Sequence, residues 1–142
     1  MADDPKTARP DMGVAEAAGL MASYDIGFVP IVGDDDGLVG LVTDRDLVVR
    51  VLAARQDPAT VKLSDIATTR SLRTISPDAS VTEAGDRMAE YRVKRLLVVD
   101  DGTFVGVVSL GDVAQTAASL EAVGETVRDI SESPATTEVH GG

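Results

Sequence analysis

A chain of 142 residues with 13 Lys and Arg against 24 Asp and Glu, a formal charge of −11, fits one compact domain or two very small modules. That balance argues against nucleic acid, because affinity for a polyphosphate backbone rests on neutralising it. With no Cys and a single His, His140, set among small and polar residues, the chain lacks the parts for disulfides, thiolate metal sites, metal hydrolysis or a catalytic triad.

In chain order, the acidic start Met1-Ala2-Asp3-Asp4-Pro5 carries no apolar leader, and no run of about 18 apolar residues follows anywhere, so a cytoplasmic protein with no membrane partner is expected. Pro10-Asp11 opens an amphipathic helix predicted over Val14–Tyr24. Phe28–Val32 and Leu38–Val42 read as strands joined by Gly33-Asp34-Asp35-Asp36-Gly37, a β-hairpin, and a second helix starts at Asp44 or just after. The stretch Gln56–Thr69 is polar with scattered Val61, Leu63 and Ile66 and reads as a linker with a helical turn. A short strand at Leu72–Ile75 precedes a helix at Val81–Tyr91, strands at Leu96–Val99 and Phe104–Val108, and a helix from Leu110 or just after. From Val113 to about Glu132 the spacing predicts one helix whose stripe of Val113, Leu120, Val123, Val127 and Ile130 packs either a second chain or its own core. Pro134–Gly142 is expected to be disordered.

The two halves are one pattern written twice. Thr7-Ala8-Arg9-Pro10-Asp11-Met12-Gly13-Val14-Ala15-Glu16-Ala17 lies over Thr74-Ile75-Ser76-Pro77-Asp78-Ala79-Ser80-Val81-Thr82-Glu83-Ala84, with Thr, Pro, Asp, Val, Glu and Ala coinciding without a gap. Met21-Ala22 then falls on Met88-Ala89 and Tyr24 on Tyr91. After one deletion in the second turn, Val39–Asp46 falls on Val105–Asp112. Two copies of one helix–strand–strand–helix unit are therefore expected to share a core.

The sharpest features are Gly40-Leu41-Val42-Thr43-Asp44-Arg45-Asp46 and Gly106-Val107-Val108-Ser109-Leu110-Gly111-Asp112. In each an apolar strand ends in a hydroxyl residue, and a carboxylate follows three positions later on the first turn of a helix. One reading is a capping box, in which hydroxyl and carboxylate satisfy each other's backbone amides. The other is a ligand site, in which the carboxylate accepts hydrogen bonds from the vicinal hydroxyls of a ribose and the strand Gly lets a ligand ring approach the backbone. In one copy both readings draw on the same lone pairs.

With that motif in both copies of a repeat, the sequence from Thr7 to Ala118 resembles a tandem pair of CBS domains, a Bateman module. The stretches Asp25–Val32 and Gly40–Asp46 are similar to stand-alone two-CBS proteins of the hypoxic response protein type. The resemblance implies an α/β (α+β) fold of tandem βαββα repeats with pseudo-twofold symmetry and a cleft on each side. It further implies homodimerisation, and AMP, ATP or S-adenosylmethionine as a regulatory ligand with no obligatory cofactor and no catalysis. On that basis residues 1–60 form the first CBS domain, with an opening strand stunted or missing, 61–118 the second, 119–133 a C-terminal helix and 134–142 a tail.

Carried over by position, Thr43 with Asp46 and Ser109 with Asp112 match the family's ribose pairs. The residues before the first hairpin strand, Ile26, Gly27 and Phe28 or Val93, Lys94 and Arg95, match positions that line the cleft and meet phosphate. Lys94 and Arg95 could neutralise a phosphate where Gly27 and Phe28 offer no charge, which makes the second copy the better site for a charged nucleotide. The alternative is a solvated pair at a strand start. Arg45 is a candidate phosphate contact or a surface partner of Asp44, and Thr74 borders a cleft or caps the next helix. Two functions remain: a nucleotide-sensing regulatory module, and a ligand-free adaptor in a stress response that binds an unknown protein partner through its dimer surface. An enzyme fits least, because the carboxylates stand without a nucleophile, metal cluster or phosphate-cradling Gly-rich loop.

Overall fold

The computed structural model describes residues 7–117 and 126–131, and the chain divides into two units between Leu72 and Arg73. The first unit runs α1 (Val14–Tyr24), β1 (Phe28–Val32), β2 (Leu38–Thr43), α2 (Asp44–Leu47), a π-helical turn over Val48–Leu52, and α3 (Leu63–Ile66). Helix α1 turns Val14, Ala17 and Met21 inward at helical spacing, and Asp25, in the left-handed region at φ 53°, ends it. Strand β1 pairs antiparallel with β2, Phe28 opposite Thr43 and Ile31 opposite Gly40, with a register shift after Ile31. Both ends of the expected hairpin are in place, and β2 extends one residue further, to Thr43.

Two short segments flank that hairpin. Ala8 forms a single parallel bridge with Ile31, donating to the Pro30 carbonyl at 2.9 Å and accepting from the Val32 N–H at 2.8 Å. Among the described residues the opening strand of the first copy is thus one bridging residue. Across β2, Leu41 and Thr68 exchange two backbone hydrogen bonds of 2.9 Å each. The stretch read as a linker is therefore structural. Val61, Leu63 and Ile66 belong to the same buried cluster as Val14, Val29, Ile31 and Val42. These residues pack on the first unit, which as a compact body runs to Leu72. Burying a Leu or Ile side chain stabilises by roughly 1.5–3 kcal/mol, more than a solvated linker turn would gain.

The second unit runs β3 (Thr74–Ile75), α4 (Val81–Tyr91), β4 (Arg95–Asp100), β5 (Thr103–Ser109), α5 (Leu110–Ala117) and α6 (Val127–Ile130). Its sheet order is β3-β4-β5, the first pair parallel and the second antiparallel. Arg95 stands opposite Ser109 and Val98 opposite Gly106, and the register shifts after Val98, the repeat position of Ile31. Ser80 caps α4 by accepting the Glu83 N–H at 3.0 Å, and Arg92, at φ 58°, ends the helix as Asp25 ends α1. Its buried cluster joins Ile75, Ala84, Met88, Leu96, Val98 and Val108 with Val127. Both clusters are built from Ala, Val, Ile, Leu and Met, as a chain with no Trp and only two Phe requires.

One prediction is corrected. The helix expected from Val113 to Glu132 is not continuous: Thr126 is extended at φ −112° and ψ 171°, and α6 starts afresh behind it. Val127 of the expected stripe is 0% exposed in its own unit's core, so it offers nothing to a second chain. Residues 118–125 with Leu120 and Val123, and the tail 134–142, lie outside the described residues. The apolar spacing persisted in sequence because α6 is itself helical and inward-facing.

Candidate functional site

Each hairpin delivers its second strand directly into a helix, and the hydroxyl–carboxylate pair sits at that junction. Thr43 Oγ1 accepts the Asp46 N–H at 3.1 Å, and Asp46 Oδ2 accepts the Thr43 N–H at 2.9 Å. Ser109 Oγ accepts the Asp112 N–H at 3.1 Å, and Asp112 Oδ2 accepts the Ser109 N–H at 3.1 Å. The capping box is complete in both copies. It uses one carboxylate oxygen, which resolves the apparent competition for lone pairs: the second oxygen of each Asp is not part of the cap.

The two second oxygens differ. Asp46 Oδ1 faces Arg50 Nε at 3.7 Å, and the same guanidinium donates to the Ile66 carbonyl at 2.8 Å. Thr116 stands at the corresponding position of the second copy, and Asp112 Oδ1 has no hydrogen-bond partner among the described residues. Arg50 carried no signal in the motif because it lies a full turn beyond it.

The residue before each first hairpin strand is tied to the helix start. The Gly27 carbonyl accepts the Asp44 N–H at 2.9 Å, and the Lys94 carbonyl accepts the Leu110 N–H at 2.7 Å. Gly27 and Lys94 thus lie beside their capping boxes by the same hydrogen bond. At Gly27 a Cβ would lie 3.0 Å from Asp44 Oδ2, so a carboxylate fills the space that a side chain would take. In the second copy Lys94 is exposed and Leu110, 44% exposed, replaces Asp44.

The other candidates spread around these junctions. Phe28 and Arg95 face Thr43 and Ser109 across their ladders, and both engage further partners. Ile26 and Val93 pack against the buried clusters of their units, which is a packing role. Arg45 is exposed, and its backbone N–H, not its guanidinium, meets Asp44, at 2.8 Å to Oδ1. Thr74 lies in β3 beside Leu97, and its carbonyl accepts from Arg87 Nη1 at 3.2 Å. The expectation for the strand glycine is corrected at Gly40. A Cβ there would meet the Thr68 carbonyl at 2.9 Å, so the close approach that requires glycine is by the chain's own backbone rather than a ligand ring.

Two repeated βαββα units, each with a capped Ser/Thr-x-x-Asp junction, define a CBS pair. The CBS domain family model matches residues 1–53 and 63–119, and the chain belongs to that family. Hypoxic response protein 1 of Mycobacterium tuberculosis is 40% identical over 99 residues, 70% of this chain and 68% of that protein. A solved structure of Hypoxic Response Protein I with two coordinated zinc ions matches with a TM-score of 0.68 and 36% identity, covering 77% of this chain and 88% of that one. A structure of CBSX2 in complex with AMP matches with a TM-score of 0.65 and 26% identity, covering 78% and 85%. CBS-pair proteins are generally regulatory, and AMP-like molecules are common ligands among them. Among the described residues no helix is long and apolar enough to cross a membrane.

Proposed function

We propose that this chain is a non-catalytic cytoplasmic sensor that binds an adenosine nucleotide at the Ser109–Asp112 junction and passes its occupancy to a second copy or a partner protein. One observation carries the reading. Asp112 caps its helix with Oδ2 and keeps Oδ1 without a partner among the described residues, while exposed Lys94 is held beside it through the Leu110 N–H. A free carboxylate oxygen accepts ribose hydroxyls and an ammonium on the segment tied to the same helix start meets phosphate, the two polar ends of AMP. AMP in the related CBSX2 structure supports the ligand class. Calorimetric titration with AMP, ATP and S-adenosylmethionine tests it. Saturable heat with at least one of them is expected, weakened tenfold or more by Asp112→Ala and much less by Asp46→Ala. Absence of saturable binding by all three overturns the reading.

A homodimer is the assembly we propose. It is supported by the apolar face that Val48, Val49 and Leu52 present on the π-helical turn, 54%, 45% and 67% exposed, on a single short element. Light scattering on the intact protein should give twice the chain mass, and Leu52→Lys should lower it towards that of the single chain.

A further inference from the structure

The docked turn of the first unit has a counterpart in the second. Leu63-Ser64-Asp65-Ile66 and Val127-Arg128-Asp129-Ile130 are both four-residue helices of apolar-x-Asp-Ile pattern. In each the third-position Asp accepts the N–H of the residue that starts the turn, Lys62 to Asp65 Oδ2 at 3.0 Å and Thr126 to Asp129 Oδ2 at 2.9 Å. Each turn is seated on its own unit by the same pair of backbone hydrogen bonds. The Leu63 N–H donates to the Met12 carbonyl and the Ser64 N–H to the Pro10 carbonyl, both at 2.9 Å. The Val127 N–H donates to the Ala79 carbonyl at 2.8 Å and the Arg128 N–H to the Pro77 carbonyl at 2.9 Å. Pro10 and Met12 are the repeat equivalents of Pro77 and Ala79. A bridge completes each seat, Gly13 with Lys62 and Ser80 with Thr126, and Leu63 and Val127 are each 0% exposed.

The Pro-Asp turn that opens each repeat's first helix therefore has a second task beyond starting it. Its two carbonyls and the apolar cluster beside them hold a short turn by backbone shape and one buried side chain, the mode by which peptides are recognised through main-chain bonds with a pocket for specificity. In the second unit an ion pair adds to the seat, Arg128 Nη2 to Asp78 Oδ1 at 3.1 Å, with no counterpart at Ser64.

We propose that the turn Pro77–Ser80 is a peptide-recognition site, and that its ligand is this chain's own segment Thr126–Ser131, a latch read as an autonomous apolar-x-Asp-Ile element. Among the described residues the latch is held by two backbone hydrogen bonds, the Ser80–Thr126 bridge, the buried Val127 with Ile130 packed on the same cluster, and one exposed ion pair; as a six-residue segment it opens more readily than the unit it closes. Any segment of the same pattern competes for the seat. The Asp78–Arg128 pair ranks segments with a basic second residue above those with a neutral one.

The test uses the full-length protein and a synthetic peptide of residues 124–133. Hydrogen exchange should show the Val127 and Arg128 amides exchanging at least tenfold faster than those of Leu96 and Val98, and equal protection of all four overturns a separable latch. In the full-length Val127→Asp variant, which empties the seat, the peptide should bind saturably and at least tenfold more tightly than to the unchanged protein. If that variant does not fold, Val127→Ala serves for the same comparison. Reversing the pair, Asp78→Arg in the protein with Arg128→Asp in the peptide, should recover most of the binding that Asp78→Arg alone loses. Failure of the peptide to bind a folded Val127 variant overturns the proposal, as does binding that is indifferent to the apolar residue of the peptide.

Discussion

The two repeats are alike in how they hold the chain and unlike in what they offer a ligand. Register, bulge position, capping box, the tie from the pre-strand carbonyl to the helix start and the docked apolar-x-Asp-Ile turn recur in both. Around the first Asp the chain supplies Asp44, Gly27 and Arg50; around the second it supplies Leu110, Lys94 and Thr116. The first junction is turned inward, its free oxygen drawn to a guanidinium that also grips the carbonyl of Ile66. At the second, Asp112 Oδ1 meets no guanidinium among the described residues. The scaffold is kept while three side chains around it change, and that difference is what the proposed nucleotide site at the second junction rests on.

Variants of matched positions break that comparison at different depths. The largest effect is expected from Leu63→Ala, which opens a cavity in the first core and should cost about 2–5 kcal/mol. Val127→Ala, the matched change in the second unit, should cost less because it removes one carbon fewer and leaves a smaller cavity. Chemical denaturation followed by unit-specific probes separates the two, and equal destabilisation would refute the size argument. Next is Gly40→Ala, where the new methyl must displace the Thr68 carbonyl 2.9 Å away. A loss of about 1–3 kcal/mol in the first unit is expected by thermal unfolding, as for other overpacked sites. Thr43→Ala and Ser109→Ala each remove one cap and should cost about 0.5–2 kcal/mol. Only Ser109→Ala should also weaken AMP binding, which separates the shared capping role from the unshared ligand role.

Much of this organisation was legible in the residues, and the misses have physical reasons. The hairpins and the helices Val14–Tyr24 and Val81–Tyr91 could be placed because period, turn residues and repeat register agreed at each of them. A helical turn within Gln56–Thr69 was legible, but its docking and the separate turn α6 were not, because four residues are too few to show a period and their burial depends on carbonyls some 50 positions earlier, Pro10 for Ser64 and Pro77 for Arg128. The same long range hid the reason for Gly40, whose neighbour Thr68 arrives from the stretch read as a linker. In the site, residue identities pointed to the capping pairs and to Lys94. Spacing alone said nothing of which carboxylate oxygen stays free, since that turns on Arg50 at one junction and Thr116 at the other.

The smallest predicted effect bears most directly on the difference between the junctions. Lys94 is exposed, so its attraction for a bound phosphate is weakened by solvent. Exposed ion pairs contribute about 0.2–1 kcal/mol, and Lys94→Ala should weaken AMP binding by roughly two- to fivefold. Because the Debye length shortens with ionic strength, that factor should shrink as salt is raised, and adenosine, which has no phosphate, should bind both proteins equally. Arg45→Ala is the control at the first junction, where Gly27 stands in the place of Lys94. If AMP sits at Ser109–Asp112, Arg45→Ala leaves its affinity unchanged at every salt concentration. A salt-dependent loss with Arg45→Ala and none with Lys94→Ala would place the phosphate at the first junction, reversing the assignment while keeping the protein a nucleotide sensor.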